Sequence, residues 1–152
     1  MVTDNVIGGI MSSKPKIADV KLSMIMSSPV LTVKKEDSVR EAAKIMYNNR
    51  IGSVVVVDDD GRVVGIVTER DLIYLIALGK KELFTEYPVW QIMTENPITG
   101  RPDESVIEAL TKMKEAKIRH LPVVDDENRP IGMVSIRDIL EIIVSLTQSI
   151  SR

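Results

Sequence analysis

Cysteine is absent from this chain, so disulfides, thiolate nucleophiles and cysteine-ligated metals are excluded. Histidine occurs once, and the chain holds neither a phosphate-binding loop nor a G-x-S-x-G nucleophile motif. No catalytic set can be assembled, because every candidate acid is better used as a cap, a turn residue or a ligand clamp. The expectation is a protein that is not an enzyme and carries no catalytic cofactor. Net charge is small too: 20 basic against 22 acidic residues leave −2, no general field to draw nucleic acid or an anionic membrane. Long apolar runs are missing. The longest uncharged stretch, Leu22 to Val33, is too short and too rich in Ser and Pro to span a bilayer. Asp4 stands where a secretion signal needs a basic region, and Gly8-Gly9 breaks the apolar stretch behind it. These absences predict a cytoplasmic protein with no membrane segment.

What is present is a repetition. Ser38 to Ile73 aligns without a gap on Ser105 to Leu140, 67 residues on, and 15 of those 36 positions are identical. Unrelated sequences of ordinary composition would share roughly two or three. Two copies at so long a period indicate two copies of one small folded unit rather than a solenoid, which needs three or more. Each copy, about 60 residues, is marginal alone, so the two are expected to pack together.

The pattern within a copy is regular. Val30 to Val33 reads as a short strand. Ser38 with Glu41 forms a capping box ahead of Val39, Ala42, Ala43 and Met46, which recur at helical spacing; Ser105, Glu108, Val106, Ala109, Leu110 and Met113 repeat both devices. Ser53–Val57 and His120–Val124 read as apolar strands, followed by acidic turns at Asp58 to Gly61 and Asp125 to Arg129. Returning strands are predicted over Arg62 to Val67 and Ile131 to Val134, then helices from Thr68 to about Leu78 and from Ser135 to about Gln148. Each unit is β-α-β-β-α. A short helix is predicted over Ile17 to Met26, stopped before Pro29. The predicted division is a leader at 1–16, repeat one at 17–78, a connector at 79–87 and repeat two at 88–152. Phe84, Tyr87 and Trp90, in and just past that connector, either stack on a ligand base or, the better reading, lie pinned to the module surface.

Three motifs, in order and twice over, resemble a tandem pair of cystathionine-β-synthase (CBS) domains, a Bateman module. The first is Met26-x-x-Pro29-Val30 with Met93-x-x-x-Pro97-Ile98. The second is Arg119-His120-Leu121-Pro122-Val123-Val124-Asp125, matched by Ile51-Gly52-Ser53-Val54-Val55-Val56-Val57-Asp58. The third is Gly65-Ile66-Val67-Thr68-Glu69-Arg70-Asp71, matched by Gly132-Met133-Val134-Ser135-Ile136-Arg137-Asp138. The resemblance covers about residues 20–148. It implies an α/β fold of the α+β kind, two repeats packed with pseudo-two-fold symmetry. Repeat one departs from the second motif, with Gly52, Ser53 and Val55 where repeat two has Arg119, His120 and Pro122.

Thr68-x-x-Asp71 and Ser135-x-x-Asp138 have two readings. One is a capping box with Asp in place of Glu. The other is a nucleoside clamp, a carboxylate accepting from both hydroxyls of a ribose, with helix amides and the Thr or Ser hydroxyl left for phosphate. The resemblance implies the clamp and an adenosine-type ligand. It groups Thr68, Arg70, Asp71, Ile98, Thr99, Gly100, Arg119 and His120 in one cleft, with the last two facing phosphate. It groups Val30, Thr32, Val33, Ile51, Gly52, Ser53, Ser135, Arg137 and Asp138 in the other. The first cleft has cationic donors and is expected to favour AMP, ADP or ATP. The second is expected to take S-adenosylmethionine or methylthioadenosine, or nothing. Asp58-Asp59-Asp60 and Asp125-Asp126-Glu127 carry carboxylates suited to a divalent metal, but turn chemistry explains them and no metal site is predicted. The helices after each clamp are apolar on more than one face, and in the family such helices pair two modules, so a homodimer is expected. The output then passes to an unidentified effector protein or to assembly; nucleic acid is not an expected partner.

Overall fold

Four successive valines, Val54 to Val57, have no polar side to turn toward water, and the structure buries all of them within one strand. This computed structural model describes residues 16–79 and 86–150; the leader up to residue 15 and residues 80–85, Phe84 among them, lie outside the described residues. Contacts divide the chain into two compact units that are not coextensive with the sequence repeats. One comprises Met1–Pro29, Ile98–Asp125 and Ile131–Arg152; the other comprises Val30–Pro97 and Asp126–Pro130. The segment leading into each repeat therefore belongs to the unit built around the other repeat.

In the second of these units, β1 (Thr32–Lys34) pairs in parallel with β2 (Ser53–Val57), which pairs antiparallel with β3 (Val63–Thr68) and that with β4 (Thr94–Glu95). Helix α2 (Val39–Asn49) joins β1 to β2, and α3 (Glu69–Ala77) follows β3. Val33, Ala42, Met46, Val54, Val56, Val67 and Val89 form the core. In the other unit a 3-10 turn (Ile17–Asp19) and α1 (Leu22–Ile25) precede α4 (Val106–Ala116), β5 (His120–Val124), β6 (Pro130–Ser135) and α5 (Ile136–Ile150). Its core includes Leu22, Ile25, Val106, Met113, Leu121, Val134, Ile139 and Ile142. The α+β class and the two repeats are as expected. No helix among the described residues is long and apolar enough to cross a membrane.

The predicted caps hold. Ser38 Oγ accepts from the Glu41 N–H and Ser105 Oγ from the Glu108 N–H, each at 3.1 Å. Asp58 Oδ1 accepts from the amides of Asp60 and Arg62, so it builds the turn that Gly61 closes at φ +80°. Three expectations are corrected. The helix over Ile17 to Met26 is broken at Val20 and Lys21, because distant backbone claims their neighbourhood: Val106 N–H donates to Val20 O and Leu22 N–H to Glu104 O, each at 2.9 Å. Val30 lies before the first strand, which starts at Thr32. Strand β4, unforeseen, lies on β3, with Gly65 opposite Glu95. Glycine is required there: a Cβ on Gly65 would stand 2.9 Å from Met93 Cγ, and one on Gly132 would stand 2.6 Å from Met26 Cγ. The two contacts are the same arrangement 67 residues apart.

Candidate functional site

Each strand-to-helix junction ends in a hydroxyl residue that caps the helix after it. At α3 the cap is Thr68, whose N–H donates to Asp71 Oδ2 at 2.8 Å and whose hydroxyl donates to the same oxygen at 3.3 Å. At α5 the Ser135 N–H donates to Asp138 Oδ2 at 2.8 Å, and the Asp138 N–H returns a bond to Ser135 Oγ at 3.1 Å. Among the described residues the other carboxylate oxygen of each acid accepts no hydrogen bond. The capping reading is thus correct in both units, and it engages only half of each carboxylate. What remains is an acceptor at the carboxyl end of a strand, able to take a hydroxyl donor.

Asp71 is half-buried, and loss of water pushes its carboxyl above the usual carboxylate range, against the lowering effect of the two Thr68 hydrogen bonds. The helix amides are less available than expected. The first N–H of α3 donates to Gly52 O and that of α5 to Arg119 O, each at 3.0 Å, so neither is left for phosphate. These same bonds bring Gly52 beside Thr68 within one unit, where Ser53 also pairs with Thr68 across the sheet, and bring Arg119 beside Ser135 within the other.

The residues assigned to one cleft are divided between the units. Thr68, Arg70 and Asp71 lie in one, with Val30, Thr32, Val33, Ile51, Gly52 and Ser53. Ser135, Arg137 and Asp138 lie in the other, with Ile98, Thr99, Gly100, Arg119 and His120. Arg70 and Arg119 are exposed and enter no ion pair among the described residues, whereas Arg137 Nε lies 3.4 Å from Glu141 Oε1. Val33 turns its side chain into the core, 4% exposed, and its backbone lies in the ladder with β2, opposite Val56. Gly100 is buried where a Cβ would meet Leu22 and Leu121, and both its backbone groups pair with β5. Trp90 is 48% exposed, while its N–H and that of Val89 bind Lys35 O and Asp37 O; this pins the segment after the connector. A groove of about 480 Å³ beside Trp90 and Met93 holds none of the predicted site residues.

Sequence reasoning missed Lys112. Its ammonium donates to Glu104 Oε1 at 2.7 Å and to Thr99 O at 3.1 Å, fixing the segment from Ile98 to Gly100. The signal was legible in principle, since repeat one has Ile45 at the matching position. No cluster of three potential metal ligands occurs among the described residues. On α3, Ile73, Tyr74 and Ile76 are exposed, as is Leu78 at its C-cap, and on α5, Leu140 and Val144.

Comparison with known proteins identifies the two repeats. The family model of the CBS domain matches residues 17–78 and 89–145. A homoserine O-acetyltransferase of Methanohalobium evestigatum is 38% identical over 122 residues, 80% of this chain and 24% of that protein. An uncharacterized 17.7 kDa protein of Acidianus ambivalens is 38% identical over 119 residues, 78% of this chain and 70% of that protein. The chain spans about a quarter of the length of the enzymes it matches, which are longer proteins. Among solved structures, a CBS domain pair in complex with 5′-methylthioadenosine and S-adenosyl-L-methionine superposes with a TM-score of 0.76 at 35% identity, covering 83% of this chain and 97% of that one. A CBS domain protein from Pyrobaculum aerophilum complexed with AMP gives 0.75 at 29% identity, covering 85% and 99%.

Proposed function

Because this chain belongs to the CBS domain family and carries two copies of the domain, we propose that it is a non-catalytic regulatory module that binds adenosine-type ligands between its repeats. The observation that carries the reading is the half-used carboxylate. Asp71 and Asp138 each hold their helix cap through one oxygen and keep the other as an acceptor, in matching positions of both repeats. A ribose diol supplies the donors such an oxygen lacks. The ligands printed for the neighbours, AMP in one and methylthioadenosine with S-adenosylmethionine in another, support this chemistry.

In this reading Asp71 and Thr68 grip the ribose of a nucleotide whose base lies on residues 98–100 and whose phosphate meets Arg119 and His120. Asp138 and Ser135 hold a second ligand against residues 30–33 and 51–53, where no unpaired cation is supplied, so a neutral or sulfonium adenosine fits better. Occupancy favours one arrangement of the repeats over others, and differential binding of this kind typically provides about 1–3 kcal/mol of coupling. The output goes to a partner protein or to self-association through the exposed apolar residues of α3 and α5.

Thermal unfolding in the presence of AMP, S-adenosylmethionine and methylthioadenosine tests the reading. A ligand at 100 times its dissociation constant is expected to add about 2.7 kcal/mol of stability. Asp71→Ala is expected to abolish the AMP effect and Asp138→Ala to spare it. Equal loss of AMP in both variants would reject the asymmetry, and no shift with any adenosine compound would leave a dimerisation scaffold as the better account.

A further inference from the structure

The chain's one tryptophan, Trp90, is 48% exposed although the backbone around it is pinned. It lines the groove of about 480 Å³ together with Val64 and Met93, which are partly buried, and with Lys35, Glu36, Glu95 and Asn96, which are exposed. All of these residues belong to one compact unit. Among the described residues the carboxylates of Glu36 and Glu95, the ammonium of Lys35 and the indole N–H of Trp90 enter no hydrogen bond or ion pair.

The backbone beside the groove is also open. Strand β4 ends the sheet, with β3 as its one neighbour. Asn96 N–H donates to Val64 O at 3.1 Å, so in the antiparallel alternation the residue before it, Glu95, turns its N–H and C=O away from β3. Neither group has a partner among the described residues. Such an edge is a template for another strand.

The other unit has the same backbone without these groups. Ser23 N–H donates to Pro102 O at 3.0 Å as Trp90 N–H does to Lys35 O at 3.1 Å. A shift of 67, however, exchanges Trp90 for Ser23, Lys35 for Pro102 and Glu95 for Ser28. Ser28 is used internally, its hydroxyl donating to Ile131 O at 3.0 Å, and the edge is reduced to one bridge, Ser27 opposite Met133. The fold therefore does not require an exposed indole or a bare strand edge at this place.

We propose that this groove is a docking site for an extended, basic segment of a partner protein. The segment adds a strand beside β4 by pairing with Glu95, and lays an Arg or Lys side chain on the Trp90 indole against the carboxylates of Glu36 and Glu95. Two carboxylates against one ammonium leave the groove net negative, which sets the sign of the partner it prefers. Docking here needs no adenosine ligand, so its failure and failure of the nucleotide reading are separate results.

Trp90 emission reports on this groove alone, since the chain has no other tryptophan. The probes are two blocked peptides of alternating Thr and Val, one with a central Arg and one with Glu there, titrated at low salt. The Arg peptide is expected to shift the emission to the blue, to slow hydrogen exchange at the Glu95 amide, and to bind about tenfold more tightly than the Glu peptide. Glu36→Gln and Glu95→Gln are each expected to weaken it about two- to fivefold, whereas Lys35→Ala strengthens it and added salt weakens it. These positions are exposed, and the variants are expected to unfold as the parent does. Equal binding of the two peptides, no emission change with either, or a weaker Arg peptide in Lys35→Ala would overturn the proposal. So would binding that leaves Glu95 exchange unchanged. An emission that moves to the blue as the protein alone is concentrated would give the groove to a second copy of the chain, and equally overturns it.

Discussion

Two aspartates show how residue environment sets opposite responses to pH. Asp58 is half-buried, and the backbone donors of Arg62 and Asp60 hold its carboxyl below the usual range, against the raising effect of partial loss of water. Its contribution is present above the unfolded value of 3.8 and is lost as pH falls through the lowered folded value. Asp71 runs the other way. Its folded carboxyl is raised above 3.8 by burial, so between the two values the folded chain holds a proton that the unfolded chain has released. Stability therefore falls as pH rises through that window, and the ionised form is a cost at neutrality. Asp71→Asn keeps an acceptor for Thr68 and removes the charge. It is expected to be at least as stable as the parent in urea at pH 7, with the advantage shrinking toward pH 4, while AMP binding is lost. A drop in stability at pH 7 would show that the charge itself supports the cap. Asp58→Ala is expected to lower the urea midpoint at pH 7 and to have less effect in acid, where the parent has lost the same interaction. The acids and their spacing were legible from the sequence. The split between one engaged and one open oxygen was not, since it depends on the angle at which each strand meets its helix.

Among the elements, strands and caps were the most legible. Ser53–Val57 and His120–Val124 lie where β-branched and apolar runs placed them, and Ser38 and Ser105 cap the helices their capping boxes announce. The segment Ile17 to Met26 was misjudged because its competing hydrogen bonds are with Glu104 and Val106, more than 80 positions away, and no local pattern carries that information. The paired methionine–glycine contacts are of the same distant kind. Gly132→Ala is expected to cost about 1–3 kcal/mol, the range for overpacking a filled site. Its new methyl meets Met26 as far back as Cβ, which cannot swing aside. Gly65→Ala is expected to cost less, because Met93 meets it through the mobile Sδ and Cγ, although the Thr94 carbonyl, 3.2 Å from the new methyl, must also give slightly. Denaturant midpoints measure both, and adding Met26→Ala to Gly132→Ala should recover part of the loss. Equal costs for the two alanines would contradict this geometry.

At the scale of the whole molecule, the chain passes between its compact units at Pro29–Val30 and again at Pro97–Ile98, and each passage follows a methionine seated on a glycine of the unit it leaves. The exposed apolar residues of α3 and its C-cap, Ile73, Tyr74, Ile76 and Leu78, are expected to close a homodimer. Light scattering should give twice the chain mass, and Ile76→Lys should return it to a monomer; a parent that is monomeric at high concentration would remove the dimer. The duplication, the alternation of strand and helix and the capping residues were determined by sequence alone, because repetition, periodicity and side-chain chemistry are local or self-comparing signals. Which lead-in segment joins which unit and which carbonyl Lys112 holds were decided only by tertiary structure. Each is a hydrogen bond or close contact between residues whose separation along the chain says nothing of their separation in space.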